Sequence, residues 1–163
     1  MPDITKITLI VILILTLISL SSCKTPEEYI NEGDLFVAKA DAVDIGAPSG
    51  LMGGEKEQLL KKAVNCYNKA IESDPNCIEA WYEKGNTLLL MKKPDEAISC
   101  FDKALKIDKK HGKSWYKKGN ALYRLKKYDE AITCFDKALE IFPKDRDIQS
   151  SKDLTLDALK IQK

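Results

Sequence analysis

From residue 78 onward, apolar side chains recur at spacings of three and four, the mark of helices that bury one face. Ala97, Phe101 and Ala104 form one such stripe, and Ala131, Phe135 and Ala138 form another. One fixed offset, that from Phe101 to Phe135, carries the first stripe and its surroundings onto the second. Trp81-Tyr82-Glu83-Lys84-Gly85-Asn86 returns as Trp115-Tyr116-Lys117-Lys118-Gly119-Asn120. The pattern predicts two helix pairs, in residues 78–111 and 112–145. The first helix of each pair starts near Glu79 or Lys113, and the second near Asp95 or Asp129. Pro94 suits a first helical turn, where its missing N–H costs nothing. Pro143 stops the last helix of the second pair. A fixed period in this range predicts stacked supersecondary units, an all-α solenoid. Solenoids present extended binding surfaces rather than sites of chemistry.

The landmarks Trp, Gly, a large residue, Ala, a large aromatic and Ala follow one another at matching offsets in both units. In this the chain resembles the tetratricopeptide repeat. Lys109 stands where that repeat usually has Pro. The resemblance implies a right-handed helix-turn-helix solenoid whose function is to bind a protein or peptide partner. It also implies that the first helix of each repeat lines a concave groove. Tyr82, Asn86 and Leu89 fall on the groove face of one repeat, and Lys113, Tyr116, Asn120, Tyr123 and Arg124 on that of the next. Asparagine amides can pair with a peptide backbone as donor and acceptor. Tyrosines add apolar area with a polar tip, and Arg124 and Lys113 can hold a carboxylate. Asn86 and Asn120 match the groove asparagines of carboxylate-clamp tetratricopeptide proteins. Tyr82 and Tyr116 stand where that clamp has lysine, so capture of a C-terminal carboxylate is not expected.

An earlier repeat is legible in two pieces, within residues 26–77. Ala63, Cys66, Tyr67 and Ala70 match its second helix, and Tyr29, Gly33, Phe36 and Val37 its first. The step from Gly33 to Ala63 is more than twice that from Gly85 to Ala97, so a segment is inserted between the two helices. Residues 45–54, rich in Gly and Pro, read as a loop, with helix through Asp44 and again from Glu55. Residues 146–163 predict a last helix, about Asp147 to Ile161. Its Ile148, Leu154, Ala158 and Ile161 are expected to cover the open end of the stack.

The N-terminus is a separate object. Ile4 to Leu20 is almost continuously apolar and ends in Ser21-Ser22-Cys23. Leu20-Ser21-Ser22-Cys23 resembles the lipobox of prokaryotic lipoproteins. The resemblance implies a signal peptide over residues 1–22, cleavage before Cys23, a lipid on its thiol and a short tether over residues 23–28. An uncleaved membrane helix and an ordinary secretory signal are the other readings of the same stretch. The expected location is therefore the cell membrane, lipid-anchored or single-span, with the repeats extracytoplasmic. The expected function is a membrane-anchored scaffold that binds a peptide or protein in its groove. The alternative is a structural lipoprotein of a cell-envelope complex that uses its insertion or convex face.

A formal net charge of +1 leaves no nucleic-acid footprint. Charge is nonetheless uneven, with a lysine-rich stretch from Lys106 to Lys127 and acids concentrated between Lys24 and Gln58. Cys66, Cys100 and Cys134 keep the period of the repeat, so they occupy equivalent sites on successive helices and form a row. A row does not converge on a metal or allow disulfides, and these cysteines read as small packing residues. Cys77 sits in a turn. The single histidine, His111, has no nucleophile or carboxylate at motif spacing, and the glycines of residues 50–54 lack the Lys-Ser ending of a phosphate loop. No enzyme, metal or cofactor is expected.

Overall fold

The computed structural model describes residues 24–46 and 53–162. The apolar segment 4–20, Cys23 and most of the expected glycine-rich loop lie outside these residues. Seven helices are described: α1 (Pro26–Gly46), α2 (Gly53–Ser73), α3 (Ile78–Leu90), α4 (Pro94–Ile107), α5 (Gly112–Arg124), α6 (Tyr128–Ile141) and α7 (Arg146–Gln162). Each packs against the next in chain order. The odd-numbered helices also touch one another, α1 with α3, α3 with α5 and α5 with α7. The even-numbered helices do not approach each other in this way. Close inner helices and splayed outer ones curve the stack, so α1, α3, α5 and α7 form its concave layer. The result is an all-α solenoid of helix pairs with a terminal helix.

Short turns join α3 to α4 and α5 to α6. After α3 and α5 the chain passes through Lys92 at φ 59° and Lys126 at φ 60°. This left-handed step lets Lys93 N–H donate to Leu88 O at 2.9 Å and Lys127 N–H to Leu122 O at 3.0 Å. Both bonds satisfy carbonyls that the helix end would leave open.

Within each pair one aromatic ring fills the gap between the helices. Tyr67, Phe101 and Phe135 are wholly buried. Phe101 Cε1 lies 2.6 Å from where a Cβ at Gly85 would stand, and Phe135 Cε1 lies 2.5 Å from where one at Gly119 would stand. The glycines are required by this close approach. One period beyond Gly119 stands Asp153, and it is exposed. The small residue that lets α6 approach α5 so closely therefore has no counterpart in α7.

In α7 the same register explains a departure from expectation. Ile148 is buried, at 2% exposure, together with Thr155, whose hydroxyl donates to Ser151 O at 2.7 Å. Leu154 and Ile161 do not cover the open end; they are 58% and 86% exposed. Ile148 and Thr155 lie one period beyond the buried Ser114 and Ala121, whereas Leu154 lies one period beyond the half-buried Asn120. Another rung repeats in the same way: Lys118 pairs with Asp102 at 2.6 Å and Lys152 with Asp136 at 2.6 Å.

Helices α1 and α2 have 21 residues each, against 13 and 14 for the pairs that follow. Helix α1 extends to Gly46 and α2 begins at Gly53, beyond the limits Asp44 and Glu55 expected from the sequence. A glycine at a helix end costs little, because the last turn makes few intrahelical bonds.

Candidate functional groove

The first-helix layer leaves a cleft of about 450 Å³ between α3 and α5. Asn86 and Leu89 line it from α3, and Asn120, Tyr123 and Arg124 from α5. These are five of the eight groove residues expected from the sequence. Leu90 and Lys117 line it as well. Lys117, Asn120 and Arg124 follow one another at spacings of three and four, so helical periodicity alone points to Lys117. Leu90 lies one period before Arg124, and it is exposed in spite of its apolar side chain.

Three expected residues lie elsewhere. Tyr82 is buried at 8% exposure, its ring 6.2 Å from Phe101 and edge-on to His111 at 5.3 Å. It belongs to the core, in one buried cluster with Leu88, Ala97 and Phe101. Tyr116 is half-buried, its ring 6.0 Å from Phe135 and its hydroxyl 3.3 Å from Ser151 Oγ on α7. Lys113 is exposed at the start of α5 and does not line the cleft.

The polar groups of the cleft are only partly matched. Asn86 Nδ2 donates to Glu83 Oε2 at 3.2 Å, which orients the amide. Asn86 Oδ1 is then shut from solvent with no hydrogen-bond partner. A buried acceptor left in this state costs about 1–3 kcal/mol. Glu83 itself is pushed above the usual carboxylate range by burial, with Asp34 and Glu79 adding repulsion and Lys117 opposing it. Arg124 Nη1 donates to Leu89 O at 2.9 Å, a bond between successive repeats. Further along the layer, Tyr67 Oη donates to Asp34 Oδ1 at 2.7 Å. Burial and then this acidic neighbour raise the Tyr67 phenol well above its ordinary value. Asp34, Glu79 and Glu83 therefore make the α1–α3 end of the layer acidic, and Lys117 and Arg124 make the α5 end basic.

The cysteines and histidine sit in structural roles. Cys66, Cys100 and Cys134 are buried and free, and Cys77 is half-buried and free. Burial raises the thiols of the first three, that of Cys134 to about 11. His111 Nδ1 lies 2.7 Å from Ser114 Oγ, and burial lowers its pKa. Among the described residues no group of three or more His, Cys, Asp or Glu could hold a metal ion.

Residues 78–111 and 112–145 match the tetratricopeptide repeat, and residues 55–77 match a second pattern of the same repeat. Together they span more than half of the chain, which belongs to the tetratricopeptide repeat proteins. No curated protein matches it. Several solved structures are similar in fold. A thermophilic tetratricopeptide protein of Thermus thermophilus is 18% identical, with a TM-score of 0.71 over 86% of this chain and 69% of that one. The TPR2B domain of yeast Sti1, in its Hsp70 complex, is 20% identical, with a TM-score of 0.66 over 81% and 96%. The first such domain of Spaghetti (RPAP3), bound to an HSP90 peptide, is 19% identical, with a TM-score of 0.62 over 80% and 95%. Among the described residues no helix is long and apolar enough to cross a membrane.

Proposed function

We propose that this protein is a membrane-tethered scaffold that holds an extended segment of a partner protein in the cleft between α3 and α5. The observation that carries this reading is the unpartnered acceptor of Asn86 in the wall of that cleft. Rotation about its Cβ–Cγ bond, a broad and soft torsion, turns the amide toward a bound backbone N–H. Asn120, one repeat on, offers the same amide, and Tyr123 and Leu89 offer apolar surface. Similar folds, one bound to an HSP90 peptide and one in an Hsp70 complex, support the reading. We also read α1 and α2 as one repeat opened by an insertion, because Gly33 faces Tyr67 as Gly85 faces Phe101.

Asn86→Ala tests the groove. The loss of the bond to Glu83 is offset by removal of the orphaned acceptor, so stability is expected to change by less than about 1 kcal/mol. Peptides selected from a random display library against the native chain are expected to bind this variant about tenfold more weakly. Unchanged affinity for every selected peptide would remove the groove from consideration. The pH dependence of the variant has a definite sign. The folded-state pKa of Glu83 is raised, so its ionised form is a liability above that pKa and is relieved as pH falls toward 4.5. Without the Asn86 donor the liability grows, and any destabilisation by Asn86→Ala is expected at neutral pH and lost on acidification.

The tether rests on residues 4–23 and has its own test. The intact mass of the protein purified from its native membranes is expected to equal residues 23–163 plus lipid chains on Cys23. An unmodified full-length mass would replace the lipid by an uncleaved membrane helix.

A further inference from the structure

The convex side carries a second cleft, of about 800 Å³, between the splayed helices α4 and α6. Leu105, Trp115 and Ile141 give it an apolar lining. Trp115 reaches between the outer helices from α5, and its Nε1 donates to Lys109 O at 2.9 Å. Two acids in the wall are already neutralised, Asp102 by Lys118 at 2.6 Å and Glu140 by Lys137 at 2.8 Å. Lys106, Lys109 and Lys110 line the same cleft and are exposed. None of the three makes an ion pair among the described residues.

The repeat supplies an internal control. One period earlier, Trp81 Nε1 donates to Pro75 O at 3.0 Å, so the tryptophan and its hydrogen bond belong to the repeat itself. The positions equivalent to the three lysines are there Glu72, Pro75 and Asn76. One period later the tryptophan is replaced by Gln149. Only between α4 and α6 does the described solenoid combine the tryptophan with three unpaired cations. Packing does not require that combination, because the preceding pair stacks without it.

We propose that this convex cleft docks an acidic segment of a partner protein, independently of the concave groove. Carboxylates of the segment meet Lys106, Lys109 and Lys110, while an apolar side chain lies against Trp115, Leu105 and Ile141. Charge complementarity selects an acidic partner. The recessed apolar lining, within the size range of binding pockets, favours a protein segment over the flat surface of an anionic membrane.

The test uses the full chain in nanodiscs of neutral lipid and a fluorescent probe peptide built from alternating pairs of Glu and Leu. The peptide is expected to bind, more weakly as salt rises. Reversal of the three charges (K106E, K109E and K110E together) is expected to weaken it about tenfold or more. The milder Lys→Gln triple is expected to weaken it less, and Asn86→Ala to leave it unchanged. All three lysines are exposed, and circular dichroism checks that the variants stay folded. No binding, or binding that survives charge reversal, overturns the proposal. So does loss of binding in Asn86→Ala, which would place the peptide in the groove. A last arm replaces part of the nanodisc lipid with anionic lipid and follows acetylation of the three lysines. Protection by anionic discs, with no peptide binding, would assign the cleft to the membrane and overturn the proposal as well.

Discussion

Phe135→Ala is expected to lower the free energy of unfolding by about 3–5 kcal/mol, the usual cost of removing a buried aromatic ring. Phe135 is 1% exposed, its ring closes on Gly119 of α5, and the Tyr116 ring lies 6.0 Å from it. Phe135 shares its buried cluster with Leu122, Ala131, Cys134, Ala138 and Ile148, and how far these neighbours relax into the space sets where in that range the cost falls. A domain with ordinary stability of about 5–15 kcal/mol loses much of its margin in this way. Because each helix pair contacts mainly its neighbours, the loss is expected to be local at first. Hydrogen exchange in α5, α6 and α7 is expected to quicken before that in α1 and α2. Urea titration followed by circular dichroism gives the free energy. An unshifted midpoint would mean that the ring is not the keystone of its pair. Gly119→Ala probes the same contact from the other side. Helix propensity favours alanine by about 1 kcal/mol, yet a Cβ there would stand 2.5 Å from Phe135 Cε1. The variant is expected to be less stable, and Phe135→Leu is expected to relieve part of the loss when the two are combined.

Asn120→Ala combined with Arg124→Ala is expected to weaken a groove-bound peptide about a hundredfold while leaving the chain folded. The pair removes an amide that can bond to a backbone and a guanidinium that can hold a carboxylate. Charged hydrogen bonds contribute about 1.5–3 kcal/mol and neutral ones about 0.5–1.5. Arg124 also ties its repeat to the previous one through Leu89 O, so part of the effect is structural. Arg124→Lys separates the two, since it keeps the positive charge and loses the planar fork. If binding follows charge, the lysine variant is expected to retain most of the affinity. If only the contact between repeats matters, both variants are expected to lose stability to the same degree. A double variant that binds as tightly as the native chain would end the groove reading.

The helices and their pairing were legible because the chain prints the same instructions twice. Phe101 and Phe135, Gly85 and Gly119, and Ala97 and Ala131 each recur at the same period, and the structure sets each aromatic against its glycine. Most of the cleft was legible for the same reason, since Asn86 and Asn120 share a register that faces the inner layer. What misled was residue type. Tyr82 and Tyr116 look like binding residues, but one ring fills the core and the other bridges to α7. Leu154 and Ile161 look like core residues, but their register points them to solvent. Lys117 and Leu90 look like ordinary surface and line the cleft.

The period, the helix limits to within a turn, the small residues at the helix crossings and the last helix after Pro143 are written in the order of the residues. These follow from short-range rules, in which a side chain's size and spacing settle what can lie beside it. Packing in three dimensions settles which surface is concave, which acceptor in it is left without a donor, and that three lysines and a tryptophan share a cleft on the other side. Those properties depend on how far successive pairs rotate and splay, and the splay is the sum of many small packing contacts that no single residue encodes.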